Sequence, residues 1–209
     1  MTKHTQALVI VPTYNEAENL KPLMLAILGL DADLEVLIID DNSPDGTGEI
    51  ADRLAAEFPQ VHVLHRPGKM GLGTAYVRGF EWALQRDYRY ILQMDCDFSH
   101  DPSCLPVHLE RIATADVVIG SRYVPGGGTV NWGWLRQLIS RGGNFFARFM
   151  LGLKTRDCTG GFRCYRREIL QQMPWEEIQL QGYAFQVGTV YHAERLGGRV
   201  VEFPITFED

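Results

Sequence analysis

Tyr90-Ile91-Leu92-Gln93-Met94 is a short, mostly apolar run, and Asp95-Cys96-Asp97 follows it without a break. The run reads as a buried strand, and the acidic residues mark where it leaves the core. The same arrangement recurs on both sides. Ala7–Val11 is a branched, apolar run followed by Pro12-Thr13-Tyr14-Asn15-Glu16, and Leu34–Ile39 is followed by Asp40-Asp41-Asn42-Ser43. Val61–Leu64 and a strand within Asp116–Gly120 complete a set of five. Stretches with helical spacing lie between them: one opening near Asn15 and running to Leu28 with Asn15 as candidate cap, then Thr47–Phe58, Leu72–Gln85 and Pro106–Thr114. Apolar strands alternating with helices predict an α/β fold, a mostly parallel sheet covered by helices on both faces.

The whole chain of 209 residues reads as one domain, with no repeat, low-complexity tract or dividing linker. Its apolar content of 45% and charged content of 22% suit a globular domain. A net charge of -6 disfavours nucleic acid as a partner. Cys96, Cys104, Cys158 and Cys164 form no CxxC pair and read as reduced cytoplasmic thiols. The N-terminus lacks a signal-peptide pattern, and no window approaches the roughly 20 apolar residues of a spanning helix. Any meeting with a membrane is therefore expected from its surface. The stretch 131–153 fits that expectation: Trp132, Trp134 and apolar residues at helical spacing are interleaved with Arg136, Arg141 and Arg148. Gly142-Gly143 is expected to split it into two pieces.

The chemistry gathers where strands end. Residues two apart on a strand project the same way, so Asp95, Asp97 and Ser99 would face one point if strand geometry continued. Two carboxylates suit Mg²⁺ or Mn²⁺ that keeps some waters and bridges a diphosphate. A bare D-x-D is common by chance, and a solvated turn leading to Asp101-Pro102 is the competing reading. Asp41 is a candidate acceptor of bonds from a base or ribose, while Asp40 would build the turn. Tyr14 could stack on a base and Glu16 accept from it. Lys69, ahead of Gly71-Leu72-Gly73, is a candidate phosphate contact, although the P-loop spacing is absent. Arg122, after the fifth strand, is either a phosphate fork or half of a surface ion pair with Asp116 or Glu110.

Together the segments VPTYNE, IIDDNSPDGT, GKMGLGTAYVRGF, MDCDFSHDP, IGSRYVPGG, NWGWLRQLISRGGNFFAR, DCTGGFRCYRRE and GYAFQV resemble glycosyltransferase family 2 proteins with a GT-A (Rossmann-like) fold. Within them the nearest likeness is to polyprenol (dolichol) phosphate mannose synthases. That resemblance implies an inverting transfer of mannose from GDP-mannose to a polyprenyl phosphate. It assigns Pro12, Tyr14, Glu16, Ile39 and Asp41 to the nucleoside. Asp95, Cys96 and Asp97 would lie along the diphosphate and sugar, and Asp95, Asp97 and Ser99 would hold the divalent cation. Ser99 stands where relatives often carry Gln. Arg122 and Arg136 would bind the acceptor phosphate, making Asp97, Arg122 and Arg136 the catalytic set. Amphipathic interface helices in 131–153 would rest on the cytoplasmic face of a membrane, with a membrane-anchoring domain or subunit as a further partner. Gly188 replaces an acidic residue of the family pattern. The family's following Arg and Gly-x-Ser-Lys segment lies beyond Asp209, so either the sequence is a piece of a longer protein or the donor site lacks that closing segment. Alternatives are a UDP-glucose-type donor, or a sugar-nucleotide-binding relative without catalysis.

Overall fold

Strand β1, Ala7–Thr13, is buried along nearly its whole length. Its side chains alternate between two cores, as a period of two requires. Val9 and Val11 face one core with Leu20, Leu23 and Met24 of helix α1 (Leu20–Leu28). Leu8 and Ile10 face the other with Ala75, Tyr76 and Phe80 of α3 (Leu72–Leu84). The computed structural model describes residues 6–178 and 182–208.

The other strands are β2 (Leu34–Asp40), β3 (Val61–His65), β4 (Tyr90–Gln93), β5 (Val117–Ser121), β7 (Arg163–Arg166) and β8 (Val200–Pro204). With β1 they form a seven-stranded sheet in the order β3-β2-β1-β4-β7-β5-β8. Every pairing is parallel except those of β7, which runs antiparallel between β4 and β5. Helices α2 (Thr47–Glu57), α4 (Leu105–Ile112), α5 (Trp134–Leu151), α6 (Arg167–Gln172) and α7 (Tyr183–Arg195) complete the layers. A small parallel ladder joins β6 (Gly128–Val130) to β9 (Thr206–Glu208).

Pro12 sits in the central strand without harm. Ile10 accepts from Met94 N, so this face of β1 points to β4, and β4 ends at Gln93 before Pro12 is reached. No neighbouring carbonyl is left waiting for the missing N–H. Helix α3 lies close enough on the sheet that a Cβ on Gly79 would come within 2.7 Å of Ile10 Cγ2. Only glycine permits that approach.

Four expectations are corrected. Asn15 does not cap α1: it has φ 61, and the helix starts five residues later at Leu20. Its backbone N–H donates to Ser43 Oγ at 3.1 Å, which draws the loop toward the end of β2 instead. Gly142-Gly143 does not divide the amphipathic stretch. α5 is one helix of 18 residues, so the expected plural interface helices are a single element. Glycine weakens a helix through backbone entropy but removes no hydrogen bond, unlike proline. Strand geometry stops before Asp95, and Phe98 takes φ 60, so the acidic residues lie on a turn. Finally, Arg122 is not in a surface ion pair. It is 5% exposed and pairs with Asp157, far along the chain.

Candidate functional site

The carboxyl ends of β1, β2 and β4 open on one edge of the sheet, the place where open parallel sheets bind ligands. There a cleft of about 290 Å³ is walled by Pro12, Tyr14, Glu16, Asp41, Lys69, Asp95, Cys96 and Asp97, with Gly71 and Leu72 at the start of α3. All but one of the residues expected on the nucleotide-sugar side meet here. Ile39 is the exception: its side chain is fully buried in the core against α3. Cys96 is 3% exposed, packs into the α1-side core, and burial pushes its thiol pKa up, so it is an inert wall.

Each acidic group is held from behind. Asp40 accepts from Ser43 Oγ at 2.6 Å and from Ser43 N at 3.2 Å, which builds the turn after β2. Asp41 receives the Arg66 fork, Nε at 2.6 Å and Nη2 at 2.7 Å. Each of its oxygens retains a lone pair for a further donor. Glu16 accepts from Asn19 Nδ2 at 2.9 Å. Burial nevertheless raises its carboxyl above the ordinary range, and the nearby charges of Asp97, Asp45 and Asp95 add to that. Asp95 accepts from the Tyr76 hydroxyl at 2.8 Å. Burial and the adjacent Asp95 hold that phenol far above its usual pKa, so it stays a donor. Lys69 Nζ lies 4.4 Å from the Tyr14 ring centroid, at cation–π distance.

Asp97 Oδ1 accepts from Ser99 N at 3.0 Å. Ser99 Oγ is buried and without a hydrogen-bond partner. Nearby, an ideal Cβ on Gly161 would lie 3.3 Å from Asp95 Oδ2 and 3.6 Å from Gln186 Nε2. The Gln186 amide is 3% exposed, and neither its Nε2 nor its Oε1 has a partner. Buried orphan polar atoms carry a penalty unless a ligand or water completes them. Among the described residues no three His, Cys, Asp or Glu side chains converge as a ready cation cage. Asp95 and Asp97 bring hard carboxylate oxygens to the cleft that fit a divalent cation completed by water and phosphate, whereas Ser99, expected beside them, is not among the cleft's walls.

A second cavity, of about 560 Å³, lies between α5 and α7. Arg136, Ile139, Ser140, Thr159, Tyr183 and Val187 are among its walls. Arg136 lies over Trp132, 4.2 Å from the ring centroid. Arg122 stands behind this wall. Its Nε and Nη2 meet Asp157 at 2.8 and 2.7 Å, and Nη2 also donates to Thr159 Oγ1 at 2.8 Å. Burial alone would raise the Asp157 carboxyl, but the Arg122 guanidinium holds it below the ordinary range. The structure thus separates Arg122 from Arg136: one braces the loop, the other faces the cavity.

The loop Thr159-Gly160-Gly161 joins the two cavities. Thr159 lines the second, and a Cβ on Gly161 would come within 3.3 Å of Asp95 Oδ2 in the first. Two residues span at most about 7 Å, so the two cavities lie close to one another. The sequence reading missed Arg66, Tyr76, Asp157, Thr159 and Gln186. Arg66 and Arg122 each follow a strand directly, which was a usable signal; Tyr76, Asp157 and Gln186 carry none outside the fold.

Comparison with known proteins identifies the family and the fold. Residues 8–173 match the family described as Glycosyl transferase family 2. The chain is 52% identical over 204 residues to an undecaprenyl-phosphate mannosyltransferase of Micrococcus luteus, covering 97% of this chain and 83% of that protein. It is 46% identical over 206 residues to a polyprenol monophosphomannose synthase of Mycolicibacterium smegmatis, covering 98% and 78%. Among solved structures, glucosyl-3-phosphoglycerate synthase from Mycobacterium tuberculosis, in complex with Mn²⁺, UDP and phosphoglyceric acid, superposes with a TM-score of 0.72 at 20% identity, over 98% of this chain and 70% of that one. A mannosyltransferase from Pyrobaculum calidifontis in complex with GDP-Man and Mn²⁺ gives a TM-score of 0.64 at 19% identity, over 98% and 56%. The fold is GT-A, and the chain belongs to glycosyl transferase family 2.

Proposed function

We propose that this enzyme transfers mannose from GDP-mannose to a polyprenyl monophosphate, with inversion at the anomeric carbon. The observation that carries the reading is that a carboxylate-lined cleft and a cavity walled by Arg136 and apolar groups lie at the two ends of the short loop Thr159-Gly160-Gly161. The substrates named for the two similar mannosyltransferases support that choice.

The cleft takes the nucleotide sugar. Tyr14 offers a face to the base, Glu16 and Asp41 accept from base or ribose, and Lys69 meets phosphate. Asp95 and Asp97, with Ser99 near them in sequence, would hold Mg²⁺ or Mn²⁺, which would supply positive charge against the leaving diphosphate. A phosphate monoester is already anionic near neutral pH, so the acceptor needs no strong base. Arg136 holds it, while Arg122 keeps the joining loop in place from its pair with Asp157. The orphan amide of Gln186, beside Asp95, reaches the sugar between them. The chain acts as one domain at the cytoplasmic face of a membrane, with the exposed side of α5 on the lipid.

The test is a transfer assay with labelled GDP-mannose, Mg²⁺ or Mn²⁺ and a short polyprenyl phosphate in detergent, with EDTA as control. Metal-dependent label in the lipid phase is expected. Label transferred from a UDP-sugar but not from GDP-mannose would overturn the donor. GDP-mannose binding without transfer would favour a non-catalytic relative.

A further inference from the structure

A third cavity, of about 620 Å³, opens where α5 meets the loop Tyr123–Gly127. Arg141, Arg148 and Arg156 line it, with Phe145 and Asn144 between them. Arg141, Phe145 and Arg148 stand at i, i+4 and i+7 on α5, hence on one face of the helix. Arg122 reaches the same cavity, but its charge is matched by Asp157. Among the described residues, none of the other three forms an ion pair. Arg148 Nε is buried with no hydrogen-bond partner. A chain of net charge -6 has carboxylates to spare, yet among the described residues none pairs with these three guanidinium groups; Glu202 meets only the backbone N–H of Arg156. Three unmatched guanidinium groups around one hollow define a site for a compact, multiply accepting anion.

The position selects the anion's source. Phe145, at the rim, is 67% exposed, and Phe146, Phe149 and Met150 beside it are 64%, 75% and 62% exposed. An anion here would lie at the level where an apolar helix face enters a bilayer, the depth of lipid phosphates. We infer that Arg141, Arg148 and Arg156 bind the phosphate of an anionic phospholipid of the host bilayer, at a site distinct from the Arg136 cavity. This rests on the proposed docking of α5 on a membrane. It deepens that reading by making docking depend on lipid charge, and it would hold the acceptor cavity at a fixed height above the surface.

The experiment is co-sedimentation with vesicles of phosphatidylcholine alone, and of phosphatidylcholine mixed with phosphatidylglycerol. The proteins are the wild type and the charge-neutral variants Arg141→Gln, Arg156→Gln and their combination with Arg148→Gln. Thermal midpoints show that each variant is folded; Arg141 and Arg156 are exposed, so the double variant serves if Arg148→Gln destabilises. The wild type should bind both vesicles and prefer the anionic ones. Each arginine removed should cost about 5-fold on anionic vesicles alone, the usual effect of one basic residue at such a surface. Equal binding to both vesicles would overturn the site while leaving α5 docking intact. A preference kept in full by the variants would place the attraction elsewhere and overturn it too. No binding to either vesicle would overturn docking itself. Saturable binding of inorganic phosphate at this cavity, without any vesicle preference, would make it a soluble-anion site and overturn the lipid assignment.

Discussion

Helix α1 has nine residues and buries Leu20, Leu23, Met24 and Ile27 to 1% exposure or less. Helix α5 is twice as long, and its buried residue is Asn144. Trp134, Ile139 and Phe149 of α5 are 77%, 66% and 75% exposed. The first helix is held by the protein's own core; the second offers as much apolar surface as a core helix but turns it outward. An amphipathic helix is normally stabilised by the face it buries. α5 is anchored instead by its polar side. Asn144 takes the Cys158 N–H at 3.0 Å and donates to Arg156 O, and Tyr123 and Ser140 join hydroxyls at 2.7 Å. The contrast teaches that hydrophobicity here is divided by purpose. The half around the carboxylate cleft buries its large apolar side chains, and the half around α5 leaves many of them outward. No helix among the described residues is long and apolar enough to cross a membrane.

That division can be broken most severely at the brace behind both cavities. Asp157→Ala would strand the buried Arg122 charge and should cost about 3–5 kcal/mol in urea unfolding. The pH sign follows from the lowered folded pKa of Asp157. Its contribution is present above the ordinary carboxylate pKa of about 3.9 and is lost as pH falls through the folded value, so the gap between wild type and variant should close in acid. An equal gap at every pH would refute the pairing as its origin.

Asp97 is exposed, so Asp97→Ala should leave stability within about 0.5 kcal/mol. Transfer should fall about 100-fold or more, with metal-dependent donor binding lost by calorimetry. Arg136→Ala should lower kcat/KM for the acceptor by about 10- to 100-fold, as for a charged hydrogen bond removed, and spare donor binding. Equal loss of donor binding would sink its assignment. Phe149→Ser tests the outward face: stability should hold, while affinity for neutral vesicles drops about 10-fold. Smallest of all, Gly142→Ala meets open space and should raise stability by about 1 kcal/mol, provided α5 is continuous in solution. No gain would reopen the two-piece reading.

The first half of the fold was legible because its strands are apolar and buried on both faces. β7 was not, since Arg-Cys-Tyr-Arg has no strand pattern, and its Arg163 is fully buried by donating to the carbonyls of Gly160, Cys158 and Gln186. Such a residue reads as surface until the fold supplies its acceptors. At the site, Tyr14, Glu16, Asp41, Asp95 and Asp97 were visible as polar residues directly after apolar runs. Tyr76 and Gln186 were hidden because they approach the same point from helices. Asp157 was invisible because its partner lies 35 residues earlier. Arg122 therefore looked like a surface cation, and the brace could be seen only in three dimensions.

The antiparallel strand β7 also determines what a shortened chain would do. β4 and β5 do not pair with each other; each meets the sheet's other half through β7. A chain ending before Arg163 would lack β8 as well, leaving one edge of β4 and both edges of β5 without partners. Such edges recruit strands from other molecules. During synthesis the protein is therefore exposed to mispairing from the emergence of β4 until β7 arrives, and the loop that joins the two cavities is also the segment that delivers the closing strand.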